Sequence, residues 1–179
     1  EGNVRRKREI KKILNFDFKY YYSKKNLGLS KSSNYLLSKI NSKYLLFTQP
    51  DILINYKSII NLTKIFKKDK NIIFVSPEIS NKKKGLKIKK ISYVKKINAA
   101  CMICDVKKLK KIGFFDENYF LYWEDIDLMK RVNKTNYKMI TSNKIYAKHF
   151  SSQSSQNDFK TKFIRSSNFI YGELIFDLK

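Results

Sequence analysis

Between residues 114 and 131 the sequence reads FFDENYFLYWEDIDLMKR, in which three carboxylates follow a run of aromatic side chains. Glu124, Asp125 and Asp127 form this acidic cluster in a chain that has only 15 acidic residues, so the cluster is unusual. The aromatic residues before it would surround it with apolar rings, and such surroundings raise the pKa of a carboxyl group, which suits a general base. The simpler alternative is a set of acids in the first turn of a helix, where they complement the helix dipole. On a helix, positions 124 and 127 share one face while position 125 points aside.

On both sides of this stretch the sequence alternates between helical and strand patterns, which is typical of an α/β fold. The predicted helices cover residues 4–14, 56–68, 106–112, 124–132 and 158–178, with one more helix capped by Ser30. The predicted strands cover residues 16–22, 44–47, 72–75, 91–104 and 137–147, and residues 82–90 form a charged connector. The strand at 44–47 is fully apolar, as central parallel strands are. We therefore expect a single-domain α/β fold with a mostly parallel sheet flanked by helices.

The charge of the chain is strongly positive, with 39 Lys and Arg against 15 Asp and Glu and a net charge of +24. Such a charge favours anionic partners, namely nucleic acid, an anionic membrane surface or phosphate-bearing substrates. The simpler alternative is a lysine-rich composition whose cations form a solvated surface. Charge alone therefore does not name a function, although the 42% hydrophobic content excludes a disordered chain.

Two further polar residues fall where a ligand could bind. Asp51 follows the apolar strand at 44–47, and ligands of open parallel sheets sit at the carboxyl ends of strands. The alternative for Asp51 is an Asx turn that caps the next helix. His149, the only histidine, follows the predicted strand at 137–147, and with Asp51 it could bind a divalent metal. Their separation in sequence leaves that pairing open.

Cys101 and Cys104 form a CxxC pair within the apolar run AACMIC. A zinc site needs a second pair of ligands, so we interpret these cysteines as small buried hydrophobic residues.

The order of motifs along the chain carries a resemblance to a known family. The motifs are Asn26-Leu27-Gly28 with Asn34, Gln49-Pro50-Asp51, Asn98-Ala99-Ala100-Cys101-Met102, Gly113-Phe114-Phe115-Asp116-Glu117, Tyr122-Trp123-Glu124-Asp125-Ile126-Asp127-Leu128 with Arg131, and His149. From about residue 26 to residue 154 the chain resembles the family-2 glycosyltransferases, especially the rhamnosyltransferase-like branch that builds bacterial surface polysaccharides. The resemblance implies the GT-A fold over residues 1–155, followed by an amphipathic C-terminal helix over 156–179.

For the reaction, the resemblance implies an inverting transfer of a sugar from a nucleotide-diphosphate donor to a glycan or lipid-linked acceptor. Asp125 matches the aspartate of the Glu-Asp pair that serves as catalytic base, and Glu124 would orient it or contact the acceptor. Asp51 matches the last aspartate of the family's metal motif, with Gln49 in place of the usual asparagine. His149 matches a histidine that completes the metal and diphosphate environment, and the metal implied is Mg²⁺ or Mn²⁺.

The remaining binding residues also follow from the resemblance by position. The donor-binding set is Glu1, Asn26, Gly28, Asn34, Gln49 and Asp51. The acceptor-binding set is Ala100, Trp123 and Asp127.

The front of the chain departs from the family pattern. Family members begin with a strand and a Pro-x-Tyr-Asn-like segment, then reach a second strand that ends in an acidic motif. Glu1-Gly2-Asn3 looks like the remnant of that second motif. About one βαβ unit of ~30 residues is therefore expected to be absent, which puts donor binding by this chain in question.

Two alternatives to an active transferase stay open at this point. An inactive truncated paralogue would keep the fold and bind a partner. A nucleic-acid-binding module would use the net charge and the 12 tyrosines to bind strands and stack bases, yet no nucleic-acid motif occurs and no specific nucleic acid is expected. The N-terminus has no apolar signal-peptide region, so we expect a cytoplasmic protein. The basic surface and C-terminal helix are compatible with peripheral contact at the inner face of the membrane.

Overall fold

The computed structural model of the chain describes residues 2–13, 16–80, 90–150 and 158–179. The helices are α1 (Gly2–Ile13), α2 (Gly28–Ser38), α3 (Tyr56–Ile65), α4 (Val106–Ile112), α5 (Glu124–Asn133) and α6 (Phe159–Asp177), and a 3₁₀ turn, Phe66–Lys68, extends α3. The strands are β1 (Tyr44–Thr48), β2 (Ile52–Leu53), β3 (Ile72–Ser80), β4 (Ile91–Val94), β5 (Cys101–Asp105) and β6 (Lys138–His149). The predicted connector at 82–90 lies outside the described residues except for its last residue.

The strands form one sheet in the order β1-β5-β3-β6-β2, with β4 also paired to β6. The α/β class is confirmed, but the expectation of a mostly parallel sheet is wrong. Among the described strands, β3 and β6 pair in parallel while the other four pairings are antiparallel, so the sheet is mixed. Strand β1 stands at one end of this order and its apolar residues are only half-buried, so its apolar run indicated neither a central position nor the direction of its neighbour.

Helices cover both faces of the sheet and bury two hydrophobic clusters. The larger cluster joins inward residues of α4 and α5 to one face of the sheet through residues such as Leu109 and Leu128. The smaller cluster packs α3 against the other face through Leu62. Cys101 and Cys104 are both buried and unbridged within β5, and burial raises the pKa of the Cys101 thiol to about 11. The interpretation of these cysteines as buried hydrophobic residues is confirmed.

Local capping explains why several helices begin and end where the sequence predicts. Asn55 accepts a hydrogen bond from the Ser58 amide at 2.8 Å and so starts α3. Asp105 and Asp158 cap α4 and α6 in the same way. Gly113 ends α4 with a φ of 75°, a left-handed conformation that glycine adopts without steric cost.

Three expected elements differ in the structure. The predicted strand at 16–22 is irregular chain, because side-chain alternation does not supply the neighbouring backbone that a strand needs. The predicted strand at 91–104 is two strands, β4 and β5, separated by a turn in which Asn98 accepts from the Ala100 amide at 2.9 Å. Ser30 does not cap α2, since that helix begins at Gly28 and Ser30 is buried inside it.

Helix α6 faces the protein with the side opposite to its most apolar stripe. Gly172 is its buried residue. The large apolar side chains Phe159, Phe163, Ile170 and Leu174 are each more than half exposed. Within the described part of the chain, every helix is too short or too polar to cross a bilayer.

Candidate active site

A cavity of about 190 Å³ opens beside the N-terminus of α5, the end of α5 that carries the acidic cluster. Six parts of the chain meet there: the start of α2, the end of β1 with the turn after it, the turn before β5, the segment between α4 and α5, the start of α5, and α6. The lining residues are Leu29, Phe47, Gln49, Asn98, Ala99, Ala100, Phe115, Tyr122, Trp123, Glu124, Asp125, Ile126 and Phe169. Of the predicted site residues, Gln49, Ala100, Trp123, Glu124 and Asp125 are therefore brought together.

Glu124 and Asp125 are the ionisable groups of this cavity, and their surroundings disfavour charge. Burial, followed by the neighbouring charge of Asp125, raises the pKa of Glu124 to about 7. Burial also raises the pKa of Asp125, against the effect of the Ile126 amide, which donates to its Oδ1 at 2.9 Å. Glu124 Oε2 is buried without a hydrogen-bond partner among the described residues. Two adjacent carboxyl groups with raised pKa values can hold and move a proton near neutral pH.

The two aromatic residues before the carboxylates have an unusual backbone. Tyr122 and Trp123 have φ values of 70° and 69°, and they are the described non-glycine residues with positive φ. Such conformations cost about 1–3 kcal/mol each and persist only where the surroundings fix them. Here α6 does so: the Arg165 Nε donates to the Tyr122 hydroxyl at 2.6 Å, and Trp123 packs on Gly172. The turn before α5 is thus held by contacts from the C-terminal helix.

Asp51 and His149 form a second polar group, which lies outside the cavity lining where β2 pairs with β6. Their Oδ2 and Nε2 atoms lie 3.4 Å apart, because β2 pairs with β6 and sets Ile52 opposite His149. The helix after Asp51 is capped by Asn55, so Asp51 does not serve as its cap. Asp51 Oδ1 is buried and has no hydrogen-bond partner among the described residues. The expected pairing of these two residues, almost a hundred positions apart, is present in the fold.

This pair fits part of a divalent-metal site. It offers a carboxylate oxygen with an unused acceptor, which suits Mg²⁺ or Mn²⁺, and an imidazole nitrogen, which suits a transition-metal ion such as Mn²⁺ better than the hard Mg²⁺. No group of three or more metal-binding side chains occurs in residues 2–13, 16–80, 90–150 and 158–179. An ion held by Asp51 and His149 would therefore need further ligands besides these two side chains.

The turn after β1 links the two sites. The backbone amide of Gln49 donates to the Ala100 carbonyl at 3.0 Å, and this hydrogen bond holds the turn against the segment before β5. Gln49 and Ala100 both line the cavity, whereas Asp51 and His149 lie outside its lining. Asp51 is therefore two positions along the chain from Gln49, which belongs to the cavity lining.

Asn26 and Gly28 form a turn that packs on the aromatic stretch. Asn26 accepts from the Gly28 amide at 3.0 Å, and Gly28 has a φ of 75°. A Cβ at Gly28 would lie 2.5 Å from the Phe120 carbonyl oxygen, so only glycine fits. The next residue, Leu29, donates its amide to that carbonyl and also lines the cavity.

Asn34 and Asp127 are not among the residues that line the cavity, and neither are Asn26, Gly28, Asp51 and His149. Asn34 exchanges two hydrogen bonds with the backbone of Phe115, at 2.8 and 3.1 Å. Asp127 is buried and forms ion pairs with Arg131 at 2.8 Å and Lys179 at 3.1 Å. Both side chains thereby stabilise the turn and helix that carry Glu124 and Asp125. Glu1 lies outside the described residues.

Sequence reasoning missed Phe169, which lines the cavity from α6. Its ring lies 5.6 Å from that of Trp123 and 6.0 Å from that of Tyr122. Nothing in the periodicity of α6 marks this position, because the sequence does not tell which side of the helix faces the protein.

Comparison with known protein families places this chain. The model of the family described as glycosyl transferase family 2 matches residues 5–140 of the 179, a range that holds every cavity residue except Phe169. A search of the curated proteins finds none that matches. Membership of this family indicates glycosyltransferase activity and implies a nucleotide-sugar donor and an acceptor. The chain belongs to glycosyl transferase family 2.

Proposed function

We propose that this chain transfers a sugar from a nucleotide-diphosphate donor to a glycan or lipid-linked acceptor with inversion at the anomeric carbon. The observation that carries the proposal is the pair Glu124 and Asp125, buried in a cavity with raised pKa values. A sugar hydroxyl is a weak nucleophile until its proton is removed, and a positioned carboxylate supplies roughly 10²–10⁴-fold of rate. The resemblance noted in the sequence favours cell-surface polysaccharide synthesis of the rhamnosyltransferase type.

In this mechanism Asp125 takes the proton of the acceptor hydroxyl as its oxygen bonds to the anomeric carbon. The bond to the nucleoside diphosphate breaks on the opposite face, and the bonding electrons leave with the diphosphate. Glu124 contacts or orients the acceptor, and near neutral pH its raised pKa lets it donate a hydrogen bond as a neutral acid. Trp123 and Ala100 line the acceptor side of the same cavity.

On the donor side, Asp51 and His149 would hold Mg²⁺ or Mn²⁺. Such an ion supplies charge stabilisation for the leaving diphosphate. The buried, unpartnered Oδ1 of Asp51 supports this role, since an orphaned carboxylate oxygen is costly unless a ligand completes it. Gln49 and the turn at Asn26 and Gly28 border the donor.

The test is a transfer assay with the full-length gene product, a panel of UDP- and dTDP-sugars, Mn²⁺, and simple glycosides as acceptors. We expect a glycoside product whose anomeric configuration, read by NMR, is opposite to that of the donor. A product with retained configuration would contradict the mechanism. The absence of both transfer and donor hydrolysis across the panel would contradict the function itself.

We further propose that the protein works in the cytoplasm at the inner face of the membrane, next to a lipid-linked acceptor. The support is the row of exposed apolar side chains on α6 together with the net charge of +24. Basic and apolar surfaces together favour anionic lipid. Flotation with vesicles that contain phosphatidylglycerol should recover the wild type, and Phe163→Ser should weaken recovery. Equal recovery with neutral vesicles would contradict the charge argument.

A further inference from the structure

We propose that α6 completes the acceptor site, with Phe169 as a specificity-determining residue that stacks on the acceptor sugar. The inference rests on the proposed function and assigns a residue beyond it. Phe169 lies after residue 140, where the match to the family ends, so this wall belongs to the chain's own C-terminal segment.

The geometry around the cavity motivates the assignment. Phe169 lines the same cavity as Glu124 and Asp125. Its ring contacts both aromatic residues that precede these carboxylates, at 5.6 Å for Trp123 and 6.0 Å for Tyr122. The side chain is nonetheless 48% exposed, so its packing contacts do not use its whole surface. These three rings, together with Phe47 and Phe115, therefore line the cavity that holds the carboxylates.

The position of Phe169 is fixed by contacts on both sides of it along α6. Towards the N-terminus, Arg165 bonds the Tyr122 hydroxyl. Towards the C-terminus, a Cβ on Gly172 would lie 2.7 Å from Trp123 Cδ1, so glycine at this position allows the close approach of the helix. Phe176 lies 5.2 Å from Trp123, and Lys179 bonds the buried Asp127. Helix α6 is thereby attached to the turn that carries the catalytic carboxylates.

The chemistry of the wall matches one face of a sugar ring. A pyranose presents C–H groups on its faces and hydroxyls at its rim, which suits an apolar aromatic surface next to polar groups. With the ring stacked on Phe169 and Trp123, its rim hydroxyls can reach Asp125. The rings thus select which hydroxyl is offered to the base.

The test uses Trp123, the single tryptophan of the chain, as a fluorescence probe of this cavity. Methyl glycosides of glucose, galactose, mannose, N-acetylglucosamine and rhamnose are titrated against the full chain. We expect at least one glycoside to change the emission, and Phe169→Ala to weaken its binding by about 2- to 12-fold, the size of a lost aromatic contact. Phe169→Leu should weaken binding as well, since it keeps an apolar side chain but has no ring, while Phe169→Tyr should restore it.

Phe163→Ala is the matched control, because Phe163 lies on the same helix and is 64% exposed. It should leave glycoside binding unchanged, and nucleotide affinity, measured by calorimetry with UDP and Mn²⁺, should be unchanged in every variant. Unchanged glycoside affinity in Phe169→Leu, or no response of the wild type to any glycoside, would overturn the inference. Glycoside binding that depends on Phe169 in a chain without nucleotide affinity would uphold it while contradicting the proposed function.

Discussion

The two acidic sites of this protein use the same residue type for opposite purposes. Asp51 lies 3.4 Å from an imidazole and offers a second, unused oxygen. Glu124 and Asp125 lie next to each other in a cavity bordered by aromatic rings, where burial raises both pKa values. The first arrangement suits a negative charge that binds a cation, and the second suits a group that exchanges a proton.

The difference shows that environment, and not residue type, assigns the role of a carboxylate. A carboxylate beside a histidine, with its second oxygen unpaired among the described residues, can bind a cation. Where two buried carboxyl groups lie side by side, burial and the charge of the neighbour raise the pKa and favour the protonated form. The four predictions below test this contrast, in order of decreasing effect.

Replacing the base should give the largest effect. Asp125→Asn keeps the shape of the side chain but removes its ability to take a proton, so kcat should fall by roughly 10²–10⁴-fold. Donor affinity should change little, because Asp125 lies in the cavity and not beside Asp51. Steady-state kinetics of transfer would check this, with Asp177→Asn on α6 as the control. If the Asp125→Asn variant kept its activity, Asp125 would not be the base and the contrast between the two sites would be wrong.

Replacing Asp51 should weaken catalysis through the metal. Asp51→Ala should lower kcat by about 10²-fold, because the leaving diphosphate loses charge stabilisation. His149→Ala should act in the same direction and raise the Mn²⁺ concentration needed for half-maximal rate. The dependence of rate on Mn²⁺ concentration is the measurement. Transfer that chelators do not affect, in the wild type and both variants alike, would contradict a metal role for this pair.

The raised pKa of Glu124 predicts a pH dependence of stability and activity. In the unfolded chain its pKa is about 4.3, and in the folded protein it is about 7, so between these values the folded protein holds a proton that the unfolded chain has lost. The free energy of unfolding should therefore decrease as pH rises through this window, by up to about 4 kcal/mol. Urea denaturation at several pH values would measure the slope, which Glu124→Gln should flatten.

Asp125 sets the expected direction of the activity profile at low pH. Asp125 must be ionised to take the proton, and burial raises its pKa, so kcat/KM should rise with pH through a midpoint above that of an ordinary aspartate, about 3.9. Above about 7 Glu124 loses its proton, so the rise should level off or reverse there. The absence of a rise on the acidic side would contradict the assignment.

The smallest effect should come from replacing Gly172, the residue of α6 that lies against Trp123. Gly172→Ala places a methyl group 2.7 Å from Trp123 Cδ1, so the helix or the ring must move. We expect a loss of about 1–3 kcal/mol in unfolding free energy, a shift in Trp123 emission, and an unchanged Mn²⁺ requirement. Ser167→Ala, on α6 but without a close contact to the ring, is the control. An altered Mn²⁺ requirement would show that the two sites are coupled.

Much of the secondary structure could be predicted from periodicity and capping. Helices α3 to α6 and strand β1 are close to their predicted bounds, because each has a clear apolar pattern or a capping side chain. The segment at 16–22 has the alternation of a strand but is irregular. The direction of strand pairing was also mispredicted, since pairing depends on neighbours that a local pattern does not identify.

The candidate site could be predicted in part. The sequence order of motifs placed Asp125, Glu124, Gln49 and Ala100 in one site with Asp51 and His149. The structure places the first four around one cavity and the last two outside its lining. The sequence did not reveal that Asp127 forms ion pairs with Arg131 and Lys179. Such ion pairs depend on which long side chains reach a buried acid, and that is set by packing.

By itself, the stretch from residue 114 to residue 131 indicated the family and the carboxylates to which we assign the chemistry, because residue types and local spacing carry that information. Only the tertiary structure decided that Asp51 meets His149 and that α6 brings Phe169 to the cavity. Both contacts join residues far apart in the chain, and their formation depends on how the sheet and helices pack. A sequence pattern specifies which face of an element is apolar, whereas packing decides what that face meets.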